Sequence, residues 1–343
     1  MKILVRSSTA PVKTMVCFLK SSIWVPSIYG ISAGACNAVS YISKQPKRNL
    51  EIFYKYIGDE RYLSVANLRK TGSLFGFGFI FGELSRQLVP LDYEAFQKSP
   101  VIFRVGATNV VTGKVVYFDK EDITFPMDVL RASASLPMIS PIVDYKGYHL
   151  LDGGVACPIP IERSIFDGND KNVLVLTRDI SYRKRARPEF PRAVLKSVYR
   201  DYPKLVDAMM NRSDVYNSQL DLIARLEKEG KAVVVRPSRP LAVGRYEKNR
   251  QRRLQVIFKN TFLNVAVLIQ IMLLRHVDDR LQFSAQRFQC PPRRQIVRIA
   301  RDDQRIHAIF LLRQLEQQAA GFKRVMMSAV HRVHGIADLP GII

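Results

Sequence analysis

The sequence predicts an α/β fold built on a mainly parallel sheet, followed by a basic tail of poorly specified structure. Three observations carry this. Short apolar runs rich in β-branched residues, such as Val173-Leu174-Val175-Leu176, alternate with segments of helical period. One extended run passes directly into a helix-compatible stretch through a serine set between glycines, Gly30-Ile31-Ser32-Ala33-Gly34. The alternation then stops near residue 245, where lysine and arginine cease to be used equally.

Taken in order, residues 1–6 predict a first strand, and residues 11–20 a short helix with Val12, Met15, Val16 and Leu19 on one face. Residues 23–29 read as extended and residues 33–43 as helical. Residues 45–49 form a polar break containing Pro46, and 51–58 and 62–68 are mixed aromatic segments. Residues 72–82 interleave Phe75, Phe77, Phe79 and Phe81 with glycines, which suits either the wall of an acyl pocket or a loop packed on the core. Strands are expected at 101–109 and 114–118, joined through Thr112-Gly113 as a hairpin. A helix over 127–135 is stopped by Pro137 and Pro141. Residues 142–145 and a run beginning at Tyr148 flank a turn at Lys146-Gly147. The second run ends in Asp152-Gly153-Gly154. An apolar strand follows at 171–177, then a basic linker at 183–187. Helical patterns at 192–210 and 213–229 divide near Asn211, with Gly230 as C-cap, and a closing strand at 232–236 precedes Pro237 and Pro240.

Composition bounds the partners. A chain of 343 residues, 47% hydrophobic, can bury one large or two modest cores. Its 53 Lys+Arg against 30 Asp+Glu give a net charge of +23, a surface that attracts polyanions or anionic membrane. No nucleic-acid motif accompanies that charge, so no specific nucleic-acid partner is expected. Cys17, Cys36, Cys157 and Cys290 are scattered, with neither metal spacing nor a disulfide framework, as in a reducing compartment. The apolar run at 15–19 is too short for a signal-peptide core. The run at 262–274, broken by Asn264 and Gln270, is too short to span a bilayer. The reading is a cytoplasmic protein that meets a membrane only at its surface.

Ser32, between strand and helix, has the setting of a nucleophile on a sharp, strained turn, with helix N–H groups ahead of it for a developing oxyanion. The same pattern also suits a tight turn with a capping serine. A nucleophilic serine needs a base. Of five histidines only His149 precedes residue 275, and strand alternation turns it away from Asp152. Asp152, before two glycines at a strand end, can accept the serine proton or merely cap its own turn. His149 fits better as a half-buried strand residue.

Gly30-Ile31-Ser32-Ala33-Gly34 with Asp152-Gly153-Gly154 resembles the patatin-like phospholipase family. The likeness extends to Ala107-Thr108-Asn109, Arg131-Ala132-Ser133-Ala134-Ser135-Leu136-Pro137, Pro158-Ile159-Pro160 and Tyr182-Arg183-Lys184, and covers roughly residues 20–249. The resemblance implies a three-layer α/β/α fold and a lipid acyl-ester hydrolase without metal or cofactor. In its Ser–Asp dyad Ser32 is the nucleophile and Asp152 the proton acceptor, and the Ala33 backbone N–H faces the oxyanion. It further implies domains at 1–185 (catalytic), 186–244 (helical accessory region with the closing strand) and 245–343 (basic tail, outside the likeness). The family's glycine-rich oxyanion loop has no counterpart here, since residues 1–29 contain no glycine and Arg6-Ser7-Ser8-Thr9-Ala10-Pro11 stands in its place. The alternative reading is therefore a catalytically impaired member that binds membrane or polyanion. Residues 245–343 carry 15 Arg and 3 Lys against 7 acidic residues, whereas residues 1–244 carry 18 Arg and 17 Lys. Residues 306–323 have near-helical apolar spacing and are expected to form at most an isolated helix, with residues 250–343 outside the core.

Overall fold

The computed structural model describes residues 24–186 and 188–240, and residues 2–5 as backbone. The expected helix at 11–20, the glycine-free stretch that follows the first strand, and everything expected of residues 245–343 lie outside the described residues.

Among the described residues eight strands form one mixed sheet. In chain order they are β1 (Lys2–Val5), β2 (Ser27–Ile31), β3 (Ile102–Asn109), β4 (Lys114–Asp119), β5 (Val143–Tyr145), β6 (Tyr148–Asp152), β7 (Asn172–Val175) and β8 (Ala232–Val235). Strands β3, β2, β1, β7 and β8 lie side by side and all parallel. The other three pairings are antiparallel: β4 on β3, β6 on β3, and β5 on β6. The sheet is thus mixed rather than mainly parallel. The reason is local. Residues 102–152 are joined by tight turns with positive φ at Gly113 (67°), Lys146 (47°) and Gly147 (77°), and a strand that returns through such a turn must pair antiparallel.

The helices are α1 (Ala33–Ile42), α2 (Arg48–Lys55), α3 (Val65–Thr71), α4 (Gly78–Leu88, wound as a wide π-type helix), α5 (Tyr93–Lys98), α6 (Asp128–Ala134), α7 (Ile161–Phe166), α8 (Arg192–Val198) and α9 (Pro203–Lys228). Residues 45–58 and 62–82 thus hold three helices where the sequence suggested a break, mixed segments and a loop. Their apolar residues are largely aromatic and spaced by glycine, which blurs the helical period. Helix α9 runs unbroken through Asn211, and the break falls at residues 199–202. Proline fixes φ near the helical value and lacks only an N–H that a first turn leaves unpaired, so Pro203 starts a helix where Asn211 is too weak to end one. Gly230 ends α9 at φ 68°, with the Lys231 N–H donating to the Leu226 carbonyl at 2.8 Å.

Helices cover both faces. Tyr29 of β2 joins a buried cluster with Leu174 of β7, Val234 of β8, and Tyr216, Leu220 and Ile223 of α9. Its neighbour Gly30 faces the other way, where a Cβ would stand 2.6 Å from Ala35 Cα of α1. Successive strand residues therefore pack against α9 and α1 on opposite sides, an α/β/α arrangement. A second cluster sets Leu151 and Val155 against Leu195 and Tyr199 of α8 and Leu205 and Val206 of α9. Among the described residues no helix is long and apolar enough to cross a membrane.

Ile223 is almost fully buried between α9 and the sheet. Ile223→Ala should lower the unfolding free energy by about 2–5 kcal/mol through lost transfer energy and a residual cavity. Urea titration of the two proteins checks this, and a change under about 1 kcal/mol would mean that α9 does not anchor the sheet.

Candidate active site

The central geometric fact is a shared strand edge. β3 pairs with β4 along 104–109 on one edge, so β2 and β6 must both use the other. β2 runs parallel to β3 and ends with Ile31 opposite Gly106. β6 runs antiparallel and ends with Asp152 opposite Ala107, the very next residue. The carboxyl ends of β2 and β6 thus meet head-on against β3, and the residues leaving them, Ser32 and Gly153, enter the same space. The glycines confirm the crowding. A Cβ on Gly153 would fall into the Gly106 carbonyl, and one on Gly154 would lie 3.7 Å from Ile31 Cγ2.

Ser32 has φ 56° and ψ −133°, a region that non-glycine residues avoid. Two contacts hold it there. Its N–H donates to Ser133 Oγ at 2.8 Å, and its carbonyl accepts the Cys36 N–H at 3.2 Å as α1 begins. Gly30 lets α1 fold back closely onto β2, which makes the turn sharp. Ser133, at the buried end of α6, donates its hydroxyl to the Gly106 carbonyl at 2.7 Å, while its own carbonyl accepts the Gly153 N–H at 3.4 Å. One residue therefore ties together the ends of β2 and β6 and the middle of β3, two contacts through its hydroxyl and one through its carbonyl.

Asp152 is 2% exposed. Its Oδ1 accepts the Gly154 N–H at 2.7 Å, so the carboxylate closes a turn on its own backbone. Its N–H donates to the Ser135 carbonyl at 2.7 Å, and its carbonyl accepts the Thr108 hydroxyl at 2.8 Å. The same hydroxyl accepts the Ala156 N–H at 3.2 Å, and Arg212 Nε donates to the Gly154 carbonyl at 2.7 Å. The N–H groups of residues 152 to 156 are thereby all bonded. His149 stands three residues earlier, exposed on the strand, and pairs with Asp144 across the β5–β6 hairpin. The structure does not bring it to the Ser32 side of the hairpin.

Cys36 sits one helical turn beyond Ser32. Burial pushes its thiol up to about 12, and the Asp152 carboxylate adds to the rise, opposed by Arg48. Cys36 and Ser133 were not singled out by sequence reasoning. For Ser133 the available signal was its place in the Arg131–Pro137 run, for Cys36 its spacing of four from Ser32.

Two hollows flank this centre. Leu136, Pro137, Val155, Phe190, Met209 and Arg212 border a small one beside the 152–156 turn. A wider groove, about 670 Å³, is walled by Phe75, Phe77 and Phe79 on one side and Arg131, Pro141 and Ile142 on the other. The aromatic stretch 72–82 is thus not merely packed away, since part of it faces open space. Helix α6 separates the groove from the site, with Arg131 at the former and Ser133 at the latter.

Residues 21–164 match the family model of patatin-like phospholipases, and residues 202–259 match a domain of unknown function, DUF6363. The first match spans β2 to α7 and contains Ser32, Ser133 and Asp152. The second begins at Tyr202, beside the first residue of α9.

A thiol that ionises only near pH 12 is almost wholly protonated at pH 8. Cys36 should be alkylated by iodoacetamide roughly 40- to 100-fold more slowly than an unperturbed cysteine, the loss of thiolate being only partly offset by its greater nucleophilicity. Peptide-level mass spectrometry after timed alkylation of the native protein reads this directly. Ordinary reactivity at Cys36 would mean that the pocket is open to bulk water.

Proposed function

We propose that this chain, a member of the patatin-like phospholipase family by its residues 21–164, hydrolyses lipid acyl esters with Ser32 as nucleophile and Asp152 as proton acceptor. The observation that carries the proposal is the head-on meeting of β2 and β6 on β3, which sets a strained serine and a buried, hydrogen-bonded carboxylate at one point of the sheet.

In this reading Ser32 Oγ attacks the ester carbonyl carbon and its proton passes to Asp152. The oxyanion that forms lies at the amino end of α1, where the Ala33 N–H points ahead of the helix and the dipole favours negative charge. Collapse of the tetrahedral intermediate expels the alcohol, which takes the proton from Asp152, and leaves an acyl-serine. Water then gives a proton to Asp152 and attacks the acyl-serine; collapse of the second tetrahedral intermediate releases the fatty acid as Ser32 Oγ takes the proton back from Asp152. Asp152 suits this role because its turn holds one oxygen on the Gly154 N–H and so fixes the direction of the other.

A second reading rests on one observation, the absence of glycine from residues 1–29. A loop without glycine approaches an oxyanion poorly, and loss of one donor costs about 10²–10³-fold in rate at comparable sites. On that reading the chain binds lipid or another polyanion and turns over little.

Hydrolysis of short p-nitrophenyl esters by the purified chain distinguishes them. Ser32→Ala and Asp152→Asn should each remove the activity, by at least about 10³-fold, while His149→Ala keeps most of it. Activity that survives Asp152→Asn, or that is lost in a folded His149→Ala protein, contradicts the proposed dyad. No activity in the unaltered chain supports the second reading.

A further inference from the structure

β7 lies two strands from β2 with β1 between them, all parallel, and Val175 is level with Val5 and Gly30. The chain leaving β7 therefore emerges at the same sheet edge as Ser32, about 10 Å away by two strand spacings. What emerges is Thr177-Arg178-Asp179-Ile180-Ser181-Tyr182-Arg183-Lys184-Arg185.

In this turn polarity and burial are inverted. Asp179 is only 8% exposed while its neighbour Ile180 is 72% exposed. The inversion is built. Asp179 Oδ1 accepts both the hydroxyl (2.5 Å) and the N–H (3.1 Å) of Ser181, and the Asp179 carbonyl accepts the Tyr182 N–H at 3.3 Å. Tyr182 packs against the buried cluster under α9, and the Arg178 guanidinium lies 4.8 Å over its ring. Beyond it, Asn217 of α9 clamps the backbone of Lys184 from both sides, accepting its N–H and donating to its carbonyl, each at 2.9 Å. Ile180 is thus held outward by a turn fixed at both ends. The same segment carries the exposed Arg178, Arg183 and Arg185; Arg178 is stacked on Tyr182, and Arg183 reaches Asp221 at 3.2 Å.

We propose that this turn docks the protein onto anionic phospholipid bilayers, with Ile180 entering the interface and Arg178, Arg183 and Arg185 engaging headgroup phosphates. An outward isoleucine on a fixed segment that carries three exposed arginines matches a surface that is apolar beneath and anionic above. An extended nucleic acid would be met by the arginines but gives Ile180 nothing to enter. Docking here turns the sheet edge carrying Ser32 towards the lipid, so the inference extends the proposed lipid hydrolase while remaining separable from it.

The test uses the full chain, including its basic tail, in a Ser32→Ala background so that the vesicles stay intact. Partition onto phosphatidylserine–phosphatidylcholine vesicles is read by sedimentation. Ile180→Asp should weaken it roughly tenfold, as loss of one partly inserted aliphatic side chain implies. Arg178→Ala and Arg185→Ala should each weaken it roughly fivefold, and these losses should shrink in high salt. In a separate protein, Ile180→Trp, with Trp24 as the only other tryptophan, should give a blue-shifted emission quenched by brominated lipid. Unchanged partition of Ile180→Asp, or an unquenched tryptophan, overturns the inference. So does binding to an oligonucleotide that falls with the arginine variants while vesicle binding does not. Soluble-ester hydrolysis by the Ile180→Asp protein with Ser32 intact separates the two claims. Vesicle binding through Ile180 without any esterase activity would sink the proposed function and leave the docking surface standing.

Discussion

The site depends on one constraint, that two strands share a single edge of β3. β2 occupies residues 102–106 of that edge and β6 occupies 107–109, so each must end where the other does. Nothing larger than glycine fits at the seam, because the Gly106 carbonyl already fills the place of a Cβ on Gly153. Ser133 closes the seam with three contacts and takes up the Ser32 N–H, which the strained backbone turns away from the strand ladder. A backbone in this region costs on the order of 1–3 kcal/mol, and such a conformation persists only where the surroundings over-determine it. Here the surroundings are α1 packed against Gly30 on one side and α6 on the other.

The side of β2 and β3 that meets the end of α7 is locked by charge. Asp167, at the end of α7, accepts the Tyr29 hydroxyl at 2.6 Å and Arg163 at 3.0 Å, and pairs with Arg104. Burial alone would raise its carboxyl, but these three bonds outweigh burial and hold it below the usual carboxylate range. Tyr29 moves the other way, raised by burial and by its bond to the carboxylate. Because Tyr29 is the middle residue of the strand that carries Gly30 and Ile31, the lock helps to fix the register of β2, and with it the height at which Ser32 emerges.

Much of this was legible in the sequence where a residue's own chemistry dictates the backbone. Thr112-Gly113, Lys146-Gly147 and Gly230 announced two hairpins and a helix end, and each stands where its positive φ is needed. The apolar run around Val173 announced a buried strand. The parallel character was over-read, since alternation of strands and helices says nothing of strands joined by tight turns. Helices α2 to α4 were hidden by aromatic and glycine spacing, and the extent of α9 by the weight given to Asn211 over Pro203. For the candidate site, glycines mark Ser32 and Asp152 and the resemblance pairs them; what the sequence does not show is how β2 and β6 come to end together, which follows from strand register, a long-range property, and from Ser133, an ordinary serine until α6 is laid across β3.

The central claim is that Ser32 is made nucleophilic by the carboxylate at the end of β6. Reaction of the native chain with a fluorophosphonate, followed by peptide mapping, tests it most directly. The account predicts a single phosphonate adduct on Ser32 that disappears in a folded Asp152→Asn protein. An adduct on another serine, or full labelling of Ser32 without the Asp152 carboxylate, would contradict it.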